Sequence, residues 1–303
     1  MNASTAEVLH PEFPDFAGPP RGLGFNRPKE AVVEEVPAVP LLQRGRYRLG
    51  LSKPLALGWI LGPILLLAYW SLGSVTGFID DRILPAPWVA VHTGLDLIQD
   101  GRLQHNVLVS AFRALQGTFF GVTAAIFVAF VSGLSPIGGY LFDSVIQLKR
   151  AIPTLALIPF FILWFGVGEL MKVTMISVFV FLPMYVHTHN ALRGIDIRFV
   201  ELAETMRINY WQFVRHIVLP GALPGIFLGL RFGVMAAWVS LVVVEQINTT
   251  DGIGYMVNLA RNYAQSDVML VGLVLYALLG LSSDLAVRFL EKRVLSWRRT
   301  LAS

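Results

Sequence analysis

Apolar runs of about twenty residues recur along this chain, each long enough to cross the ~30 Å hydrocarbon core of a bilayer as a helix. Lipid offers no water to backbone N–H and C=O groups, so such runs fold as helices that bond within themselves. The first, LALGWILGPILLLAYWSLGSV, covers about 55–75, and others follow at about 106–131, 140–165, 171–190, 221–246 and 268–288. Charged residues make up 15% of the 303, against ~25% in a soluble domain, and the deficit is concentrated in these runs. The expectation is an all-α integral membrane protein with about six transmembrane helices. The chain has no cysteine, which excludes disulfides, thiolate metal sites and a cysteine nucleophile.

The connecting segments set the organisation. Residues 1–50 are rich in Pro, Gly and charge and lack a sustained period, so they read as a disordered cytoplasmic tail. The first apolar run starts too deep in the chain for a cleavable secretory signal. Residues 51–102 hold the first transmembrane helix and an extracytoplasmic segment, in which a short interfacial helix begins after Pro85 and Pro87. Residues 103–287 form the main transmembrane domain, and 288–303 a second cytoplasmic tail. Within that domain GLSPIGG (133–139) and FGVGEL (165–170) turn the chain. The third run is broken by Pro153 and Pro159, which remove intrahelical hydrogen bonds and suit a backbone that lines a cavity. Residues 247–267 read as a polar turn followed by an amphipathic piece.

Lysine and arginine placement gives the orientation. Seven basic residues precede the first run, among them Arg44, Arg46, Arg48 and Lys53. Arg193, Arg198, Arg207 and Arg215 lie between the fourth and fifth runs, and Lys292, Arg293, Arg298 and Arg299 close the chain. The opposite side has Arg82, Arg102, Arg261 and, at a boundary, Lys172. Both termini and the 191–220 segment are therefore expected in the cytoplasm.

That segment contains ELAETMRINYWQFVRHIVLP (201–220). Glu201 opens a short amphipathic run with Phe199, Ala203 and Met206 on one face. Arg207, Ile208 and Asn209 interrupt it, and a second run places Trp211, Val214 and Val218 opposite Gln212, Arg215 and His216. Leu219 and Pro220 are expected to stop this second helix. Two short amphipathic helices between apolar spans need water or a protein partner for their polar faces. The segment is expected to be a docking element, with Glu201 at the N-terminus of its first helix. There the carboxylate either caps the helix or meets a basic group on a partner.

The spacing resembles the E-A-A, three residues, G, nine residues, I-x-L-P signature of bacterial ATP-binding-cassette importer permeases. Glu201, Ala203, Ile217, Leu219 and Pro220 fall on matching positions. Leu202 replaces the second motif alanine, and Arg207 the glycine that serves the bend. Asn209 tolerates a left-handed backbone and is expected to carry the bend instead. RILPAP (82–87), LALIPFFILWFGVGE (155–169), LPGALPGIFLGLRFG (219–233) and DGIGYMVNLAR (251–261) extend the resemblance. They are similar to permeases of the aliphatic sulfonate, taurine and nitrate importer group, with the sulfonate branch nearest. Thiamine-precursor and riboflavin permeases share the scaffold. The resemblance implies a type I importer fold in the bacterial inner membrane and a homodimer of permeases. It also implies two ATP-binding-cassette ATPase subunits, which hold ATP and Mg, and an extracytoplasmic solute-binding protein.

The chain has no G-x-x-x-x-G-K-[ST] phosphate loop and no dinucleotide fingerprint, so it is expected to carry no ATPase site of its own. GLGF and GIGY are lone glycine pairs in loops. His187 and His189 diverge at i, i+2 on a helix, and neither a metal site nor a catalytic group is expected. Nothing points to nucleic acid, and membrane lipid is the surrounding medium. Arg113 and Arg231 fall inside spans, where an arginine facing lipid costs ~2.5 kcal/mol or more. Each either pairs with a carboxylate or helix-end carbonyls, or lends positive potential to the path of an anion, together with the broken backbone at Pro153 and Pro159. A second reading is a secondary transporter or channel independent of ATP, for which Asp143, Glu245 and Asp284 are the nearest carboxylates, near span ends.

Overall fold

The computed structural model describes residues 58–297 other than Asn248. The 1–50 tail, the basic residues before the first span, Arg298 and Arg299 lie outside the described residues. All regular structure described is helical. α1 is Gly58–Val75, α2 Pro87–Gln99, α3 Arg102–Leu134 and α4 Pro136–Ala151. α5 is Ile158–Phe165, α6 Glu169–Arg193, α7 Ile197–Thr205 and α8 Tyr210–Phe213. α9 is Leu219–Val244, α10 Ile253–Asn262 and α11 Ser266–Val294.

Among the described residues, four helical stretches are long and apolar enough to cross a membrane: α3, α6, the continuous run Tyr210–Val244, and α11. The expected third span is a bent pair, α4 and Thr154–Phe165, at 94° to each other. Pro153 has no N–H to donate, and it holds Ile152 in extended backbone (φ −93°, ψ 119°), so the bend falls there. Pro159 breaks nothing. It occupies the first turn of α5, where a missing N–H has no consequence. The turn expected over 133–139 shrinks to Ser135, whose hydroxyl accepts the Gly138 N–H at 3.3 Å.

α6 lies between α3 and α9, and small residues set both approaches. Buried on α3 are Ser110, Ala114, Gly117, Gly121, Ala125, Ala129 and Ser132, while Phe112, Leu115, Phe119 and Phe127 face outward. A Cβ on Gly117 would land on Ile176, and one on Gly121 would lie 2.6 Å from the Ser177 carbonyl. On α9, Gly225, Gly229 and Gly233 repeat the pattern: a Cβ on Gly225 would land on Ala191, and those on the other two would press on Met184 and Val180. Lipid gives no hydrophobic drive for helices to associate, so close backbone approach through small residues supplies the packing.

The 197–220 segment departs from expectation in three places. α7 starts at Ile197, capped by Asp196, whose carboxylate accepts the Arg198 N–H at 3.0 Å, so Glu201 sits mid-helix. The bend is carried by Arg207 itself, at φ +53°, while Asn209 is extended and caps α8 reciprocally with Gln212. The Ile208 N–H bonds the Ala203 carbonyl and the Arg207 N–H that of Glu204, the paired closure that places a left-handed residue just past a helix end. Nor does Pro220 stop the second helix. A π-helical stretch, Val214–Val218, widens the run, and the Leu219 N–H reaches back to Val214. The helix thus passes the proline without a clash.

Three outcomes follow from this geometry. Gly225→Val should lower the unfolding free energy of the solubilised protein by about 1–3 kcal/mol. Gly280→Ala, whose added methyl meets open space, should leave the thermal midpoint unmoved. Arg207→Gly should relieve about 1 kcal/mol of left-handed strain. Slower amide exchange at Ile208 would register that gain, and faster exchange would contradict it.

Candidate functional site

The 201–220 segment divides its motif residues by exposure. Glu201, Leu202, Arg207, Asn209 and Leu219 are exposed, Ile217 and Pro220 half-buried, and Ala203 buried. Leu202, Met206, Tyr210 and Trp211 stand in the open at 52–69% exposure, an apolar surface on an otherwise polar element. Among the described residues no side-chain partner engages Glu201. The two short helices are therefore brought together as a platform, and the second continues without interruption into α9.

At the opposite end of α3 and α6 the structure assembles a cluster that sequence reading found only in pieces. Arg113 is 4% exposed, and its fork is almost fully used. Nε and Nη2 donate to Glu169 at 2.7 and 2.6 Å, and Nη1 donates to Glu245 at 2.8 Å and to the Asp251 carbonyl at 2.7 Å. Glu245, 1% exposed, also accepts from Ser110 Oγ at 2.7 and 2.8 Å, the Gly254 N–H at 2.9 Å and Tyr276 Oη at 3.1 Å. Lys172 joins Glu169 at 2.9 Å, so the described charges balance in pairs. Of the two readings open for Arg113, pairing with carboxylates is what the geometry displays.

The GIGY glycines acquire a role here. Gly252 has φ +116°, and a Cβ on it would land on the Glu245 carboxylate. The Ile253 N–H bonds Ser110 Oγ at 2.8 Å, and the Gly252 N–H bonds Asn106 at 2.8 Å. Asp251 itself faces water, held below the usual carboxylate range by hydrogen bonds from the Thr250 hydroxyl and His105. The clue in the sequence was a glutamate ending an apolar run, eight residues before an I-G pair.

Arg231 is paired too, but less completely: Nε donates to Asp284 at 3.0 Å, and Asp284 also accepts from Arg288 at 2.6 Å. Among the described residues the outer nitrogens of Arg231 make no hydrogen bond. Asp284 lies ten residues before the end of α11. Asp143 lies mid-way along α4. It accepts from Ser132 and Tyr185 hydroxyls, both at 2.6 Å, with Arg193 at 3.3 Å and His189 at 3.7 Å. A cavity of about 600 Å³ opens beside it, lined by Ser132, Ser135, Ser144 and Arg193. Pro153 and Pro159 do not line it, and His187 stacks on Phe232 away from His189. Among the described residues no group of three or more potential ligands could hold a metal ion.

Comparison with known proteins agrees with this architecture. The chain is 38% identical over 239 residues to the permease protein SsuC of Escherichia coli K12, covering 79% of this chain and 90% of that one. It is 34% identical over 256 residues to SsuC of Bacillus subtilis 168, covering 84% and 91%. The names of both assign them to aliphatic sulfonate transport. The taurine transport system permease TauC of Escherichia coli K12 is 29% identical over 260 residues, covering 84% and 94%. Residues 117–296 match the profile of one family, and that segment holds α7 and α8, both glycine seams and most of the polar clusters. The chain belongs to the binding-protein-dependent transport system inner membrane component family.

Proposed function

We propose that this chain is the membrane subunit of an ATP-driven importer for a small anionic solute, an aliphatic sulfonate foremost, with taurine or nitrate as neighbouring substrates. The similarity to relatives named for sulfonate and taurine transport supports the choice of anion. Membership of a binding-protein-dependent family favours this over a gradient-driven transporter. In this reading two copies of the chain form the path. Two separate ATPase subunits hold ATP and Mg and dock on α7 and α8 in the cytoplasm. A solute-binding protein delivers cargo at the far side, where the α10 end lies. The chain itself hydrolyses nothing.

The observation that carries this reading is the unbroken helical run Tyr210–Val244. Tyr210 and Trp211 stand on the exposed platform, and Val244 ends beside the buried Glu245. At 1.5 Å per residue the run spans about 50 Å, so a displacement of the platform is imposed on a whole span without a flexible joint. Arg231 lies on this run with outer donors to spare, which suits it to an anion passing by, whereas Arg113 has few left.

Proteoliposomes loaded with ATP and supplied with partner subunits should take up radiolabelled alkanesulfonate. Uptake of no sulfonate, taurine or nitrate would refute the anion. Glu201→Lys should cut uptake at least ~tenfold while ATP hydrolysis continues, since reversing an exposed charge removes a contact without disturbing the fold. Arg231→Gln should weaken uptake with assembly intact, and unchanged uptake would remove that residue from the path.

A further inference from the structure

We infer that Glu245 is the positioning residue through which a binding protein seated on the 249–254 segment acts on the helix core. The inference rests on the importer reading above, with the α10 end outward. The segment leaves α9 and enters α10, and it is two-sided. Two of its side chains reach water: Thr250 is exposed, and Asp251 meets His105 at 3.1 Å on an open groove of about 380 Å³ lined also by Asp100, Arg102 and Tyr255. Its backbone faces inward. The Asp251 carbonyl caps Arg113, the Ile253 N–H caps Ser110, and the Gly254 N–H caps Glu245.

These two faces cannot move independently. Gly252 stands so close to the carboxylate that no side chain fits between them. If a partner lifts the segment, Glu245 loses the Gly254 donor and Arg113 loses an acceptor, both in a buried setting where a charge without partners is costly. The pair must therefore follow the segment or re-form around it. Either response moves Ser110 and Arg113 on α3, Glu245 at the end of α9 and Tyr276 on α11 together. Because α9 continues to the ATPase platform, the response to occupancy at one face reaches the other through a single carboxylate. A buried network with two satisfied arrangements is the kind of bistable element such signalling needs.

The experiment uses the full complex in nanodiscs, with ATPase rate measured with and without solute-loaded binding protein. Glu245→Gln preserves side-chain size and removes the charge. Its basal hydrolysis and its affinity for the binding protein should stay near those of the unmodified complex. Stimulation by the loaded binding protein should fall at least ~fivefold. Tyr276→Phe removes one donor, folds with less risk, and should show a smaller loss of the same kind. Full stimulation in Glu245→Gln overturns the inference. Should that variant fail to assemble, full stimulation in Tyr276→Phe overturns it instead. Loss of binding-protein affinity in step with stimulation also overturns it, since Glu245 would then only shape the docking surface. An unmodified complex without ATP-driven uptake would refute the importer reading itself, so the two failures remain distinct.

Discussion

Everything in this fold depends on how closely α6 approaches its two neighbours. Between helices in lipid the usual hydrophobic gain is missing, and what remains is contact between backbones and short side chains. Gly117 and Gly121 admit α6 on one side, and Gly225, Gly229 and Gly233 admit it on the other. The result inverts the arrangement of a soluble helix. On α3, alanine, glycine and serine are inside, and phenylalanine and leucine are outside. With α6 gripped along most of its length, the polar groups at its ends are fixed in position relative to α3 and α9.

Those ends are where the ionisable residues gather. Arg113 and Ser132 are nineteen positions apart on α3, about 28 Å along the axis, close to the thickness of the hydrocarbon core. At the first, a guanidinium and two carboxylates share their bonds. At the second, Asp143 collects two hydroxyls and an arginine. Between them, apolar clusters around Ile176, Val180 and Met184 fill the seams. α11 is attached differently. Few of its residues are buried, and it is tied to α9 by polar contacts at several depths: Tyr276 with Glu245, Ser283 with Trp238, and Asp284 with Arg231.

Much of this was legible in the sequence, and the reasons for the rest are physical. Apolar runs of bilayer length expose helices directly, and the α7–α8 platform followed from amphipathic spacing between them. Proline was harder to read. Its missing N–H predicts a break, yet whether the chain bends at Pro153, begins a helix at Pro159 or widens into a π turn before Pro220 depends on neighbouring carbonyls. The bend at Arg207 was misplaced because propensity favours Asn for left-handed backbone. The closing hydrogen bonds from Arg207 and Ile208 set the position instead, one residue past the Met206 cap of α7. Glu245 and Arg113 were each visible as charges in apolar surroundings. Their union was not, since it joins residues 132 positions apart through glycines that look like ordinary loop residues.

The Arg113 fork is lopsided in a way that bears on how ions in the medium reach the protein. One arm holds Glu245, whose side chain is fully enclosed, and the other holds Glu169, whose side chain is 61% exposed. Mobile ions screen exposed charges within ~10 Å at 0.1 M and hardly penetrate to buried ones. A single guanidinium is thereby attached to α9 at any ionic strength, and to the start of α6 most firmly in dilute solution. Salt loosens one side of the joint and leaves the other tight, so the ionic strength of the surrounding water sets how stiffly the start of α6 is tethered.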